Sequence, residues 1–248
     1  MIAETLDRLP PIGLAELTDR AALMTRRDRK YVLRRADLHA LLPELTRGAR
    51  ALDIEGLRLF RYASVYFDTP ELTSYRLTAL RRRRRFKVRT RTYVDSGACW
   101  LEVKTEAGRG GTAKSRLPHP PDDHHDVTPG RWFVDGLLGA EPGDLGPVLA
   151  TDYHRATLFM PRSQSRLTID VGLNWADLGG AAELSLPDLV VVETKTLAAA
   201  AEADRLLWAH GHRPIAISKY ATGLAALRPH LPSGPWRRLL RRHFTPTE

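Results

Sequence analysis

A single cysteine, Cys99, occurs in 248 residues, so an internal disulfide framework is excluded and a reducing compartment is expected. Long apolar runs are absent: none approaches the ~20 residues that a membrane-spanning helix requires. Residues 1–10 carry Glu4 and Asp7 where a secretion signal would place basic and then apolar residues, and the expected location is the cytoplasm. Aromatic residues are few, at 7%. The exposed basic and aromatic interleaving of single-strand binders is missing, so no nucleic-acid partner is expected. Lysine is scarce as well. It stands only at positions 30, 87, 104, 114, 195 and 219, so arginine supplies the other thirty-two of 38 basic residues. Arginine is this chain's generic cation, and the six lysines need an explanation of their own.

What is present is an ordinary globular composition, 43% hydrophobic and 27% charged, in a chain long enough to bury a sizeable core. The charge is not ordinary. A net +9 and a pI of about 10.0 call for an anionic partner: nucleic acid, an acidic membrane face or phosphate-rich molecules.

Periodicity and turn residues predict a helix over 14–24, a polar strand over 25–33 and a helix over 37–45 capped by Asp37. Strands follow at 60–68, 85–93, 100–106 and 112–117, the later ones separated by Asp95-Ser96-Gly97 and the glycines around 108–111. Residues 118–129 read as a loop, 131–138 as a helix, and 152–160, 166–171 and 188–195 as strands. An Ala-rich helix is expected over 197–210, ending at Gly211, with a last strand at 215–220. Short strands joined by hairpin turns favour a closed or nearly closed antiparallel barrel.

Alternate residues of a strand face opposite sides of a sheet. Arg85, Lys87, Arg89 and Arg91 therefore share one face, against Phe86, Val88 and Thr90 on the other. Glu102 with Lys104, Lys114 with Arg116, Tyr153 with Arg155, Arg166 with Asp170, and Glu193 with Lys195 repeat the pattern. One solvated polar face explains any single strand. Across six or seven strands the polar faces are heavily cationic rather than mixed, and all six lysines lie in these strand candidates, although Lys219 shares its face with Ile215 and Ile217. Closed with the charged face inward, such a sheet would form a basic tunnel with interspersed carboxylates, suited to polyanions and metal.

The stretches DRKYVL (28–33), VYFDTPELTSYR (65–76), RRFKVRTRTY (84–93), WLEVKT (100–105), AKSRL (113–117), YHR (153–155), RLTID (166–170), VVVETK (190–195) and AISKY (216–220) resemble the triphosphate tunnel metalloenzyme (CYTH-like) superfamily. Within it they are most similar to the vacuolar transporter chaperone (VTC) domain, the catalytic part of eukaryotic polyphosphate polymerase. The resemblance covers roughly residues 20–225. It implies an α+β fold: a closed antiparallel barrel of about eight strands with helices packed outside, as a single domain over 1–248 with a basic amphipathic tail at 226–248. It implies phosphate contacts from Lys30, Lys87, Arg89, Arg91, Lys104, Lys114, Arg116, Tyr153, Arg155, Arg166, Lys195, Ser218 and Lys219. Of these, Lys30, Arg89, Lys104, Arg155 and Lys219 would take the catalytic roles. Glu193 would hold Mn²⁺ or Mg²⁺, with Asp170 and Glu102 as further carboxylates. The implied activity transfers the terminal phosphate of a nucleoside triphosphate such as ATP to a growing polyphosphate chain, with a membrane-protein partner to accept the product.

Two departures from the superfamily matter. Its hydrolases open with a Glu-x-Glu-x-Lys strand, matched here by Arg26, Asp28 and Lys30, which points away from a two-metal hydrolase and toward the polymerase branch. Eukaryotic polymerases carry a further lysine shortly before the Ser-Lys pair, where this chain has Ala216. A triphosphatase and a non-catalytic polyphosphate-binding module are the alternatives. The acid- and His-rich piece 122–126 reads as a solvated loop, Cys99 as a bystander, and the tail around Trp236 as a helix on the barrel or on an anionic membrane.

Overall fold

The computed structural model describes residues 2–20, 27–107, 111–139, 142–197 and 199–244. In chain order the elements are α1 (Ile2–Asp7), β1 (Pro11–Ile12), α2 (Leu14–Arg20), β2 (Arg27–Arg34), α3 (Arg35–Leu45), β3 (Arg50–Leu52), β4 (Leu59–Asp68), α4 (Thr73–Ala79), β5 (Phe86–Tyr93), β6 (Ala98–Ala107) and β7 (Gly111–His119). After them come α5 (Arg131–Leu138), β8 (Gly146–Met160), β9 (Ser165–Asp177), β10 (Glu183–Leu186), β11 (Leu189–Thr196), α6 (Glu202–Ala209), α7 (Lys219–Leu227) and α8 (Arg237–His243). Residues 21–26, including Arg26, and the hairpin glycines 108 and 110 lie outside the described residues.

The result is an α+β fold on an antiparallel sheet, hydrogen-bonded in the order β2-β11-β9-β8-β4-β5-β6-β7, with β3 on β8, β10 on β9 and a short parallel pair β1–β3. The expected closed barrel of about eight strands does not form: the sheet has 11 strands in an open order, and among the described residues no pairing joins β2 to β7. Closure requires the end strands to share backbone hydrogen bonds. The outer edge of β2 is already used, because Ile215 donates its N–H to the Lys30 carbonyl at 2.8 Å. At the other end β7 contains Pro118, which has no N–H to donate.

The chain divides into two compact units. The first is Met1–Phe60, Tyr153–Leu173 and Leu186–Ala216; the second is Arg61–Asp152, Asn174–Ser185 and Ile217–Glu248.

In the first unit the apolar positions of β2, β8, β9 and β11 (Tyr31, Leu33, Ala156, Leu158, Leu167, Ile169, Val190, Val192) pack against Leu38, Leu41, Leu42 and Leu45 of α3 and Leu207 of α6. The strand alternation anticipated that face. Two helix starts differ from expectation. Asp37 is not the cap of α3 but its third residue, with its carboxylate accepting the Arg34 N–H at 3.4 Å, so the helix begins at Arg35. Likewise α6 begins at Glu202 rather than 197, since Asp204 accepts the Ala201 N–H at 2.8 Å. Asp204 is fully buried and also takes hydrogen bonds from Tyr31, Thr194 and Arg29, which ties the helix to the sheet.

In the second unit Val65, Phe67, Phe86, Val88, Leu101 and Val103 of β4–β6 pack against Val134 of α5. The expected strand over 215–220 is not formed. Ser218 caps α7, accepting the Ala221 N–H, and the Ala-rich sequence behind it propagates the helix. Gly223 lets that helix approach the Trp175 indole, where a Cβ would collide. Trp175 Nε1 then donates to the Lys219 carbonyl at 2.9 Å. In the tail Trp236, Leu239 and Phe244 are buried, Trp236 beside Tyr75 and Phe244 beside Trp175. The apolar side of the tail is thus spent inside the fold and not offered to a membrane. Among the described residues no helix is long and apolar enough to cross one.

Candidate functional site

Register decides which charged side chains meet. In the second unit, three rows cross β5, β6 and β7 on the face turned away from the apolar core. Lys87, Lys104 and Lys114 stand directly opposite one another; the next rows are Arg89–Glu102–Arg116 and Arg91–Trp100–Pro118. Directly opposed like charges are unfavourable, and here three lysines occupy one row. These rows carry six cations and one carboxylate, Glu102. Glu102 has only 2% of its side chain exposed, with Arg89 and Lys114 each at 2.5 Å and Arg91 at 3.8 Å. Burial alone would raise its pKa. The charges of Arg89, Arg91 and Lys114 overcome that and hold the carboxyl well below the usual carboxylate range. Lys114 responds oppositely. Loss of water and the two guanidiniums lower it to about 8 against the pull of Glu102, even though 41% of its side chain stays exposed.

The same face carries side chains whose contribution the sequence reading missed. Tyr66, opposite Arg89 on β4, accepts its Nη1 at 3.0 Å, and Arg91 lies 5.5 Å from the Tyr62 ring centre. Tyr66 stacks on Tyr220, whose hydroxyl donates to buried Asp68 at 2.5 Å. Asp68 also accepts the N–H groups of Thr69, Ser74 and Tyr75. Alternation along VYFD already placed Tyr66 opposite in sense to Phe67; that its partner would be Arg89 was not readable without the register. Ser218 and Lys219 stand at the start of α7, next to Tyr220.

The first unit holds the remaining candidates. Lys30, Glu193 and Thr168 form one row across β2, β11 and β9, and Asp28, Lys195 and Arg166 the next. Glu193 Oε1 lies 3.4 Å from Lys30 Nζ and 3.9 Å from Lys195 Nζ. Arg155 grips Asp170 with two hydrogen bonds of 2.6 and 2.8 Å and lies 5.4 Å from the Tyr153 ring centre. Although burial opposes it, the carboxylates of Asp170 and Glu193 and the neighbouring Tyr153 raise Arg155 further above its ordinary value, so it stays a permanent cation.

The expected residues thus fall into two sets. Lys30, Tyr153, Arg155, Arg166, Glu193 and Lys195 converge in the first unit; Lys87, Arg89, Arg91, Lys104, Lys114 and Arg116 share a face in the second, with Ser218 and Lys219 on its helix α7. Glu102 and Asp170 are committed to short ion pairs, whereas the lysines of Glu193 are held at longer range. Beside Glu193, Thr168 is 3% exposed with its Oγ1 unpartnered among the described residues, a second hard oxygen at the same place. Among the described residues no three His, Cys, Asp or Glu side chains converge as ligands. These oxygens fit a hydrated Mg²⁺ or Mn²⁺ that completes its shell with water and phosphate.

Among solved structures the fold is similar to a Bacillus halodurans protein described as a candidate adenylate cyclase, at 12% identity and a TM-score of 0.46, over 91% of this chain and 96% of that one. It is also similar to a Hippeastrum protein described as a candidate adenylyl cyclase with a dominant triphosphatase activity, at 15% identity and a TM-score of 0.45, over 82% and 96%. No curated protein matches the sequence. The family model described as VTC domain matches residues 25–133 and 139–228. With that match spanning most of its length, the chain belongs to the VTC domain family.

Proposed function

We propose that this protein is a metal-dependent phosphotransferase of the polyphosphate polymerase type, acting on a nucleoside triphosphate such as ATP. The observation that carries this reading is the row Lys87–Lys104–Lys114 beside Arg89 and Arg116, a close succession of cations across adjacent strands. A chain of phosphates supplies several closely spaced charges at once.

In the reaction, a terminal oxygen of the growing chain attacks the γ-phosphorus, the bond from that phosphorus to the β,γ-bridging oxygen breaks, and the nucleoside diphosphate leaves. The protein contributes positioning and charge neutralisation rather than a covalent step. On the first unit Arg155 and Arg166 offer two-pronged grips on phosphate oxygens with Lys30 and Lys195 as point charges; on the second, Arg89, Arg91 and Arg116 do so with Lys87, Lys104, Lys114 and Lys219. The Ser218 hydroxyl and the Tyr153 ring complete the phosphate contacts. Glu102 keeps Arg89 and Lys114 aimed at a shared place. Asp170 does the same for Arg155. Glu193 and the oxygens near it would hold the divalent ion, which when bound neutralises phosphate charge that the lysines leave uncompensated.

Incubation with ATP and Mn²⁺ followed by gel electrophoresis tests the proposal: a ladder of long phosphate chains is expected. Release of orthophosphate alone would identify a triphosphatase instead. Tight binding of polyphosphate without turnover would identify a binding module.

A further inference from the structure

We infer that Thr168 Oγ1 is the second protein oxygen of the divalent-cation site anchored by Glu193. This rests on the metal-dependent reading above and names a residue that neither the motifs nor the family match singles out. Thr168 and Glu193 are direct partners across β9 and β11, so their side chains leave the same face of the sheet. Their chain neighbours Leu167, Ile169 and Val192 point the other way, into the apolar core.

Thr168 is 3% exposed, and its hydroxyl oxygen is shielded from solvent with no hydrogen-bond partner among the described residues. A buried hydroxyl left unsatisfied is destabilising, and valine would fill the same space without that cost. A ligand at this place would satisfy that hydroxyl. The groups around it narrow the choice. On the far side of Glu193 in the same row stands Lys30, and in the next row Lys195 opposes Arg166. Asp170, two residues along β9, is already gripped by Arg155. A neutral oxygen beside one carboxylate gives a hard donor pair for Mg²⁺ or Mn²⁺ without a second negative charge that would repel phosphate.

The test uses the full chain and Mn²⁺ alone, following the free-ion electron paramagnetic resonance signal as protein is added. Thr168→Val, which removes only the hydroxyl, should weaken Mn²⁺ binding about 10-fold or more. Thr168→Ser should stay within about twofold of wild type. The melting temperature of Thr168→Val without metal should equal or exceed that of wild type, which separates loss of a ligand from loss of structure. Mn²⁺ binding in Thr168→Val as tight as in wild type overturns the inference. Glu193→Gln serves as the control on the underlying reading: if wild type binds no Mn²⁺, or if Glu193→Gln binds it as well as wild type, the metal site itself is wrong and the Thr168 assignment falls with it.

Discussion

The two charged sheet faces are built from the same residue types and balanced in opposite ways. On the first unit's face four cations (Lys30, Arg155, Arg166, Lys195) stand among three carboxylates (Asp28, Asp170, Glu193). On the second unit's face three rows carry six cations and one carboxylate, Glu102, which pairs with Arg89, Arg91 and Lys114. On the first unit's face Glu193 pairs with Lys30 and Lys195 at 3.4 and 3.9 Å. On the second face one buried carboxylate pairs with three of its cations, and an anionic ligand would add to that balance of charge. Ion pairs of 2.5 and 2.6 Å distinguish Glu102 and Asp170 from Glu193, whose pairs are longer.

The largest test of this contrast is stability. Glu102→Gln strips the common partner from Arg89, Arg91 and Lys114 and should destabilise the fold by about 3–5 kcal/mol in urea titration. Glu193→Gln should cost only about 1 kcal/mol, since its lysines are farther away and partly solvated. Equal losses in the two variants would erase the distinction. The same carboxyl sets an acid limit. With its folded pKa depressed, Glu102 contributes stability above its unfolded value of about 4.3 and loses it as the pH falls toward the lower folded value. Glu102→Gln should lack that limb of the stability–pH curve.

Ligand binding should break the symmetry next. The cationic excess predicts that affinity rises from orthophosphate to triphosphate to long chains. Ligand at ~100 times its dissociation constant adds about 2.7 kcal/mol to unfolding, or roughly 5–10 °C in melting temperature. Scanning fluorimetry at matched ionic strength should show this for long chains and little for sulfate; equal shifts for all anions would reduce the effect to charge screening.

Activity should then reverse the order of the two glutamates relative to stability. Glu193→Gln should retain its fold and lose metal-dependent turnover by about 100-fold, measured as Mn²⁺-dependent consumption of ATP. Retained turnover would move the metal to another carboxylate.

The smallest expected effect concerns Lys114. With its pKa lowered to about 8, it sheds its proton and charge as the pH rises from 7 to 9. Triphosphate affinity should fall more steeply over that range in wild type than in Lys114→Arg, whose guanidinium stays charged. Parallel curves from calorimetric titration would show that Lys114 does not touch the ligand.

Much of this arrangement was legible before any coordinates. Alternation along RRFKVRTRTY and VVVETK placed Lys87, Arg89, Arg91, Glu193 and Lys195 on polar faces, and strands over 60–68 and 85–93 came within one residue of β4 and β5. The helix over 131–138 coincides with α5. What misled was local ambiguity. The apolar, β-branched run before Ser218 reads as a strand, yet the Ser218 hydroxyl supplies a helix cap that period-2 patterning does not register. The eight-strand closure failed for a non-local reason, because Ile215 occupies the edge of β2 that a closing strand would need.

The sequence by itself determined which face of each strand is charged, since a side-chain period of two leaves no other choice once the strand exists. It also determined that the cations outnumber the acids. Only the tertiary structure decided the partners. Register between strands far apart in the chain set Lys104 between Lys87 and Lys114, enclosed Glu102 among three cations, and brought Thr168 beside Glu193. A shift of one residue in any of these pairings would turn a whole row to the other face. The reason is physical: ion-pair strength and metal affinity depend on distance and burial, which belong to the paired sheet and not to any strand alone.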